Sequence, residues 1–264
     1  MKNKNETFAS LLEPFLYQFD LPKVFDDFLT MSLCAVTRNF ANGLSHYEDL
    51  YLKTIEPYKE NKLRFQFPKM LDALVNEMEA RTNSNTGNDV LGEYYEQRLP
   101  KKKLSQFFTP WPICTFMAKS SYEESDEETR SRIMRILDPS CGSGRMLLAA
   151  AKEMGKHHAY FGIDIDQTCV KMTALNLFLN GVFRSEVMCA NALLPEDFKI
   201  SYGISILPIG IFRIEKKENS PLWNYLKRIM EKEKKSTGAG KDIVLPSKEN
   251  DGMFSSGASQ LTMF

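Results

Sequence analysis

The chain has 264 residues, and its 34 Lys and Arg are balanced by 34 Asp and Glu, so no global field steers it toward nucleic acid and any such contact rests on local patches. Five scattered cysteines without C-x-x-C spacing and only three histidines argue against a metal centre or a disulfide framework, and for reduced thiols in the cytoplasm. No apolar run approaches a membrane span, and the opening Met-Lys-Asn-Lys-Asn-Glu leads into no secretory segment.

Residues 1–99 read as an N-terminal helical region. Leu11, Leu12, Phe15 and Leu16 recur at helical spacing, as do Phe25, Phe28, Leu29, Leu33 and Val36. Leu63 to Ala80 offers a further amphipathic segment with an interruption expected at Pro68. Arg81 to Asn88 is a polar break, and Asp89 to Leu99 resumes a helix. Glu123 to Glu128 is a charge run that reads as a solvated turn.

An α/β unit follows, over residues 100–230. The apolar run Ile133, Met134, Ile136, Leu137 reads as a buried parallel strand ending in Asp138. Then come Pro139, Cys141 and a turn built on Gly142 and Gly144, after which Arg145-Met-Leu-Leu-Ala-Ala-Ala has strong helix propensity. Strand, glycine turn and helix bring a ligand against bare backbone at a helix N-terminus. The turn lacks the third glycine of a dinucleotide fingerprint, and Arg145-Met146 lacks the Lys and Ser or Thr of a phosphate loop. Ala159 to Asp166 is a second strand with acids at its end. Asp164 is the first choice for holding ribose hydroxyls and Asp166 the second. A helix from Val170 to Asn180 and a third strand from Arg184 to Cys189 lead to Asn191-Ala192.

D-P-x-C-G-S-G after a strand resembles the first cofactor motif of S-adenosylmethionine-dependent DNA methyltransferases, above all the N6-adenine type that includes type I modification subunits. Asp89-Val-Leu-Gly-Glu-Tyr-Tyr95 and Gln106-Phe-Phe-Thr-Pro110 resemble two segments that precede that motif in the family. The resemblance covers roughly Asp89 to Leu194. It implies a shortened Rossmann-like sheet that binds S-adenosylmethionine and acts on DNA. Gln106, Phe107, Phe108 and Thr109 would line the methionine end. Asp138, Pro139, Cys141, Gly142 and Gly144 would form the turn, with Asp164 and Ile165 at the ribose and Asn191 and Ala192 at the adenine.

The family's [DNS]-P-P-[YFW] tetrapeptide, whose first residue accepts from the target amine and whose aromatic stacks on the flipped base, has no clear counterpart. Leu207-Pro208-Ile209-Gly210 stands at the expected place without an amide, a second proline or an aromatic. Ser220-Pro221-Leu222-Trp223 is an imperfect S-P-P-W. A Ser cap and a Pro at the first helical position explain it better, since Leu222 to Met230 reads as a helix. Catalytic residues thus stay unassigned, with Pro208, Ser220, Pro221 and Trp223 as the weak candidates. The resemblance also implies a partner subunit that supplies specificity or catalytic groups. Silent cofactor or DNA binding is the alternative.

Ile204 to Ile214 alternates as an edge hairpin would, and residues 231–264 read as a flexible tail. Its end, Gln260-Leu261-Thr262-Met263-Phe264, resembles the peptide by which bacterial proteins bind the DNA polymerase sliding clamp. That resemblance implies an adaptor role, with Gln260 at a rim and Leu261, Met263 and Phe264 in an apolar pocket.

Overall fold

The structure is a computed structural model describing residues 6–37, 44–82, 87–99, 107–123, 132–194, 196–206, 209–237 and 261–263. The N-terminal region folds as Phe8–Leu12 (α1), Leu21–Val36 (α2), Leu44–Ile55 (α3), Gln66–Arg81 (α4) and Val90–Arg98 (α5). The first apolar run divides. After Leu12 the chain tightens into a 3-10 turn over Glu13–Tyr17 around Pro14, which buries Phe15 and leaves Leu16 exposed. The break expected at Pro68 does not occur. Pro68 is the third residue of α4, in the first turn, where an N–H has no intrahelical partner to lose. Tyr94 of α5 stacks on Phe25 of α2 (5.7 Å, 21°) and meets Phe8 of α1 edge-on at 5.3 Å, so these helices share one aromatic core.

The strands are Arg135–Asp138 (β1), Ala159–Asp164 (β2), Ser185–Cys189 (β3), Ile200–Ile206 (β4), Ile209–Ile214 (β5) and Leu261–Met263 (β6). They form one sheet in the order β5-β4-β3-β2-β1-β6. β6, β1, β2 and β3 run parallel, while β4 and β5 form the expected edge hairpin, in which β4 pairs antiparallel with β3 and β5 antiparallel with β4. Trp111–Glu123 (α6) leads toward β1, Arg145–Met154 (α7) and Gln167–Leu179 (α8) cross between the parallel strands, and Pro221–Thr237 (α9) follows the hairpin.

Alternation along the strands divides the core. Ile136, Tyr160 and Val187 join a large cluster with α7, α8 and the N-terminal helices, running from Phe8 to Ile211. Leu137, Phe161, Ile163 and Met188 pack instead against Leu222 and Trp223 of α9. α7 is buried almost all round because α6 covers it, with Cys114 meeting Met146 and Ala149.

α9 continues to Thr237, so residues 231–237, expected in a flexible tail, are helical. Residues 238–260 and the acidic stretch after Glu123 lie outside the described residues. The tail's last described residues, Leu261–Met263, pair with Arg135–Leu137 as an edge strand, which a purely flexible tail does not anticipate. Among the described residues no helix is long and apolar enough to cross a membrane.

Candidate functional site

The carboxyl ends of β1, β2 and β3 converge. Asp138 closes β1, and its Oδ1 accepts the Ser140 amide at 3.0 Å. Among the described residues its Oδ2 receives no hydrogen bond, although Asp138 is only 7% exposed. Gly142 and Gly144 take positive φ (54° and 83°), conformations that favour glycine, and a Cβ on Gly142 would strike the Phe108 ring at 2.7 Å. Asp164 ends β2. Its Oδ2 accepts the Gly142 amide at 2.9 Å and its Oδ1 the Asp166 amide at 2.8 Å, which ties the glycine turn to the neighbouring strand. Each carboxylate oxygen retains a lone pair for a ligand hydroxyl.

The two acids at the end of β2, separated by one residue, divide their roles. Asp166 caps α8 by accepting the Thr168 amide at 2.8 Å, while Asp164 holds the turn. Ile165 between them is 51% exposed, an apolar side chain left open at a strand end. The Ala190 amide donates to the Asp164 carbonyl at 3.0 Å, placing Asn191 beside this acid. Asn191 Oδ1 accepts the Leu193 amide at 3.0 Å, so its carboxamide oxygen is half engaged. Ala192 packs partly buried beneath, and Leu193 is exposed.

Burial pushes the Asp138 carboxyl up to about 6. The Ser140 amide opposes this, and the Asp164 charge adds to it. Asp164 is also raised by burial, against the amides of Asp166 and Gly142. Burial holds the Cys141 thiol well above its ordinary value, making it a packing group rather than a nucleophile.

Beneath the turn lies a polar network that local sequence patterns leave hidden. Asp89, 2% exposed, caps α5 by accepting the Gly92 amide at 2.9 Å. The same carboxylate accepts Ser143 Oγ at 2.5 Å, Arg145 Nε at 2.8 Å and Asn176 Nδ2 at 2.8 Å. Arg145 reaches on to Glu96 Oε2 at 3.0 Å and the Thr109 carbonyl at 3.3 Å. Asn176 also donates to the Ser143 carbonyl, and Thr173 to the Gly142 carbonyl. The signals were a lone arginine opening an apolar helix and a lone asparagine inside another.

Of the segment resembling the methionine-side motif, Phe107, Phe108 and Thr109 lie beside this turn, and Gln106 lies outside the described residues. Phe108 stacks on Tyr95 (5.7 Å, 26°), its amide donates to Glu96 Oε1 at 2.7 Å, and the Arg145 guanidinium lies 5.7 Å from its ring centre. Phe107 is exposed.

Of the tetrapeptide candidates, Ser220, Pro221 and Trp223 serve the start of α9. Pro208 lies outside the described residues. Ser220 is fully buried; its Oγ donates to Glu186 Oε1 at 2.5 Å and accepts the Trp223 amide at 3.0 Å, so it caps α9 with Pro221 at the first helical position. Glu186 also accepts from Ser201 Oγ and the Leu222 amide, and burial raises its carboxyl. Trp223 is buried against the sheet, where a base cannot stack on it. Among the described residues no cluster of His, Cys, Asp and Glu is placed to hold a metal.

Residues 86–217, half of the chain, match the N-6 DNA Methylase family. The methylase subunit of the type I restriction enzyme MpnII from Mycoplasma pneumoniae is 22% identical over 182 residues, 65% of this chain and 33% of the relative. A crystal structure of the methyltransferase subunit of a type I restriction-modification system from Streptococcus thermophilus matches with 22% identity and a TM-score of 0.37, over 68% of this chain and 38% of that one. The chain thus spans about a third of the length of that MpnII methylase subunit.

Proposed function

Because the chain belongs to the N-6 DNA Methylase family, we propose that it binds S-adenosylmethionine at the ends of β1–β3 and serves as the cofactor-holding part of a DNA adenine-N6 methyltransferase. The observation that carries this reading is the convergence of Asp138, the Gly142–Gly144 turn, Asp164 and exposed Ile165 on one rim. The donor set fits the molecule. Asp138, a largely buried residue, offers a carboxylate oxygen that takes no hydrogen bond among the described residues to a cationic amino group, Asp164 retains lone pairs for ribose hydroxyls, and Ile165 offers an apolar face to the purine. Asn191 stands at the adenine side, and Phe107–Thr109 at the methionine side. When bound, the cofactor would supply a sulfonium methyl for transfer to an adenine amine, with a thioether and a proton as the by-products. The chain's own residues orient that methyl, and positioning carries most of such a catalysis.

A second reading is favoured by the burial of Ser220 and Trp223. With that tetrapeptide committed to a helix cap, the chain alone binds the cofactor without handling the target amine, and a partner subunit brings the amine-binding groups and the DNA specificity. The third reading, an adaptor on the sliding clamp, is supported by Gln260-Leu261-Thr262-Met263-Phe264 alone. Deleting these five residues abolishes clamp co-elution if the adaptor reading holds.

Calorimetric titration of S-adenosylmethionine into the purified chain tests the primary reading. Saturable binding is expected, weakened about ten-fold by Asp138→Asn or Ile165→Ala. A folded wild-type chain that takes up no cofactor would refute it. Methyl transfer to DNA, with and without a type I specificity subunit, then separates the first reading from the second.

A further inference from the structure

The wall formed by Phe107–Thr109 is held in an unusual way. It is a short non-helical segment between α5 and α6, yet a backbone atom or ring at two successive positions is fixed from below. The Phe108 amide is taken by Glu96 Oε1, and the Thr109 carbonyl by Arg145. Glu96 Oε2 and Arg145 then bond each other at 3.0 Å, and Arg145 is anchored in turn on Asp89 beneath the glycine turn. Phe108 completes the closure, pressed between Tyr95 and the space a Cβ on Gly142 would occupy.

This wiring exceeds what packing demands. Asp89 alone, with Gly92, Ser143 and Asn176, accounts for the cap of α5 and the brace of the turn. Glu96, with a quarter of its side chain exposed near the end of α5, touches neither Asp89 nor the glycine turn and spends its two oxygens on Arg145 and the Phe108 amide. A guanidinium presents its donors in a rigid planar fork, so one arm on Asp89, one on Glu96 and one on the Thr109 carbonyl hold three elements at a set separation.

We propose that Glu96 and Arg145 are positioning residues: together they strut the Phe107–Thr109 segment over the Gly142–Gly144 turn, so that the methionine end of the cofactor meets a preformed wall. The inference rests on the cofactor reading above. Its consequence is selective, because the strut acts on the amino-acid end of the ligand and leaves the nucleoside end, at Asp164, Ile165 and Asn191, to the strand ends.

The test compares two ligands on the same purified chain: S-adenosylmethionine, and adenosine, which lacks the amino-acid arm. Glu96→Ala cuts both the Phe108 amide and the Arg145 contact. It is expected to weaken S-adenosylmethionine about ten-fold or more while adenosine stays within about two-fold. Glu96→Gln keeps an acceptor for the Phe108 amide but loses the ion pair, and is expected to fall between wild type and Glu96→Ala; it also serves if Glu96→Ala misfolds. Arg145→Lys, which cannot reach three acceptors at once, is expected to follow the same selective pattern. Equal weakening of both ligands means general loosening and overturns the proposal, as does an unchanged S-adenosylmethionine affinity in all three variants. A wild-type chain that binds adenosine but not S-adenosylmethionine, or neither, overturns the cofactor reading itself.

Discussion

Replacing Asp89 by alanine withdraws one carboxylate from four donors: the Gly92 amide, Ser143 Oγ, Arg145 Nε and Asn176 Nδ2. Losing the α5 cap costs about 1 kcal/mol. Stripping a buried cation of its partner costs about 3–5 kcal/mol, and the lower end applies because Arg145 keeps Glu96. Asn176 keeps the Ser143 carbonyl and adds little. The sum is about 4 kcal/mol, which in a chain of this size lowers Tm by about 8–16 °C. Urea unfolding of wild type, Asp89→Ala, Arg145→Met and the double variant measures it. Because Arg145→Met removes the stranded charge, the double variant is expected to lose at least about 1.5 kcal/mol less than the two single losses added together. A loss below about 1 kcal/mol for Asp89→Ala, or strict additivity, would refute the network as the brace of the glycine turn.

Three further outcomes follow from the same geometry. The Asp138 carboxyl rises in the folded chain from its ordinary 3.8 to about 6, so the folded state holds its proton more tightly. The cost of burying that charge is absent below the lower value, grows across the interval and reaches at most about 3 kcal/mol above the upper one. The Tm of Asp138→Asn relative to wild type should therefore climb between about pH 4 and pH 6 and level off above that, and a pH-independent difference would contradict the assignment. Gly144→Ala places a methyl 2.8 Å from Thr173 Cγ2 at a φ of 83°, and thermal melting should show a loss of about 2–3 kcal/mol. Ser220→Ala should cost about 1–2 kcal/mol by denaturant titration and leave S-adenosylmethionine affinity at the wild-type value, since Ser220 serves α9 and Glu186. A change in cofactor affinity would return Ser220 to the candidate site.

The parts of the fold visible in sequence were those that depend on neighbours in the chain. An apolar run, an acid, two glycines and an alanine-rich stretch specify β1, the turn and α7 because propensity and steric need act over a few residues. The Ile204–Ile214 alternation marked the hairpin for the same reason. What stayed hidden depends on distant partners. Asp89 and Arg145 are far apart in sequence, and nothing local tells a buried arginine from a solvated one. Asp164 and Asp166 could be ranked from position, but only the amides they accept separate a turn-holding acid from a helix cap. Whether Pro68 breaks a helix or starts one turns on which residue opens α4, and boundaries are where local patterns are weakest.

β6 gives the far end of the chain a second obligation. Leu261–Met263 lies hydrogen-bonded along Arg135–Leu137, immediately upstream of Asp138 at the rim of the site. An extended segment cannot satisfy that ladder and lie in another protein's groove at once. Any protein that captures this peptide therefore works against the β1–β6 pairing, and by reciprocity a strand that displaces β6 from β1 makes the peptide easier to capture. Peeling it away would also lay bare a parallel strand edge, the kind of surface that recruits further chains. The last residues thus couple whatever holds the tail to the strand that presents Asp138.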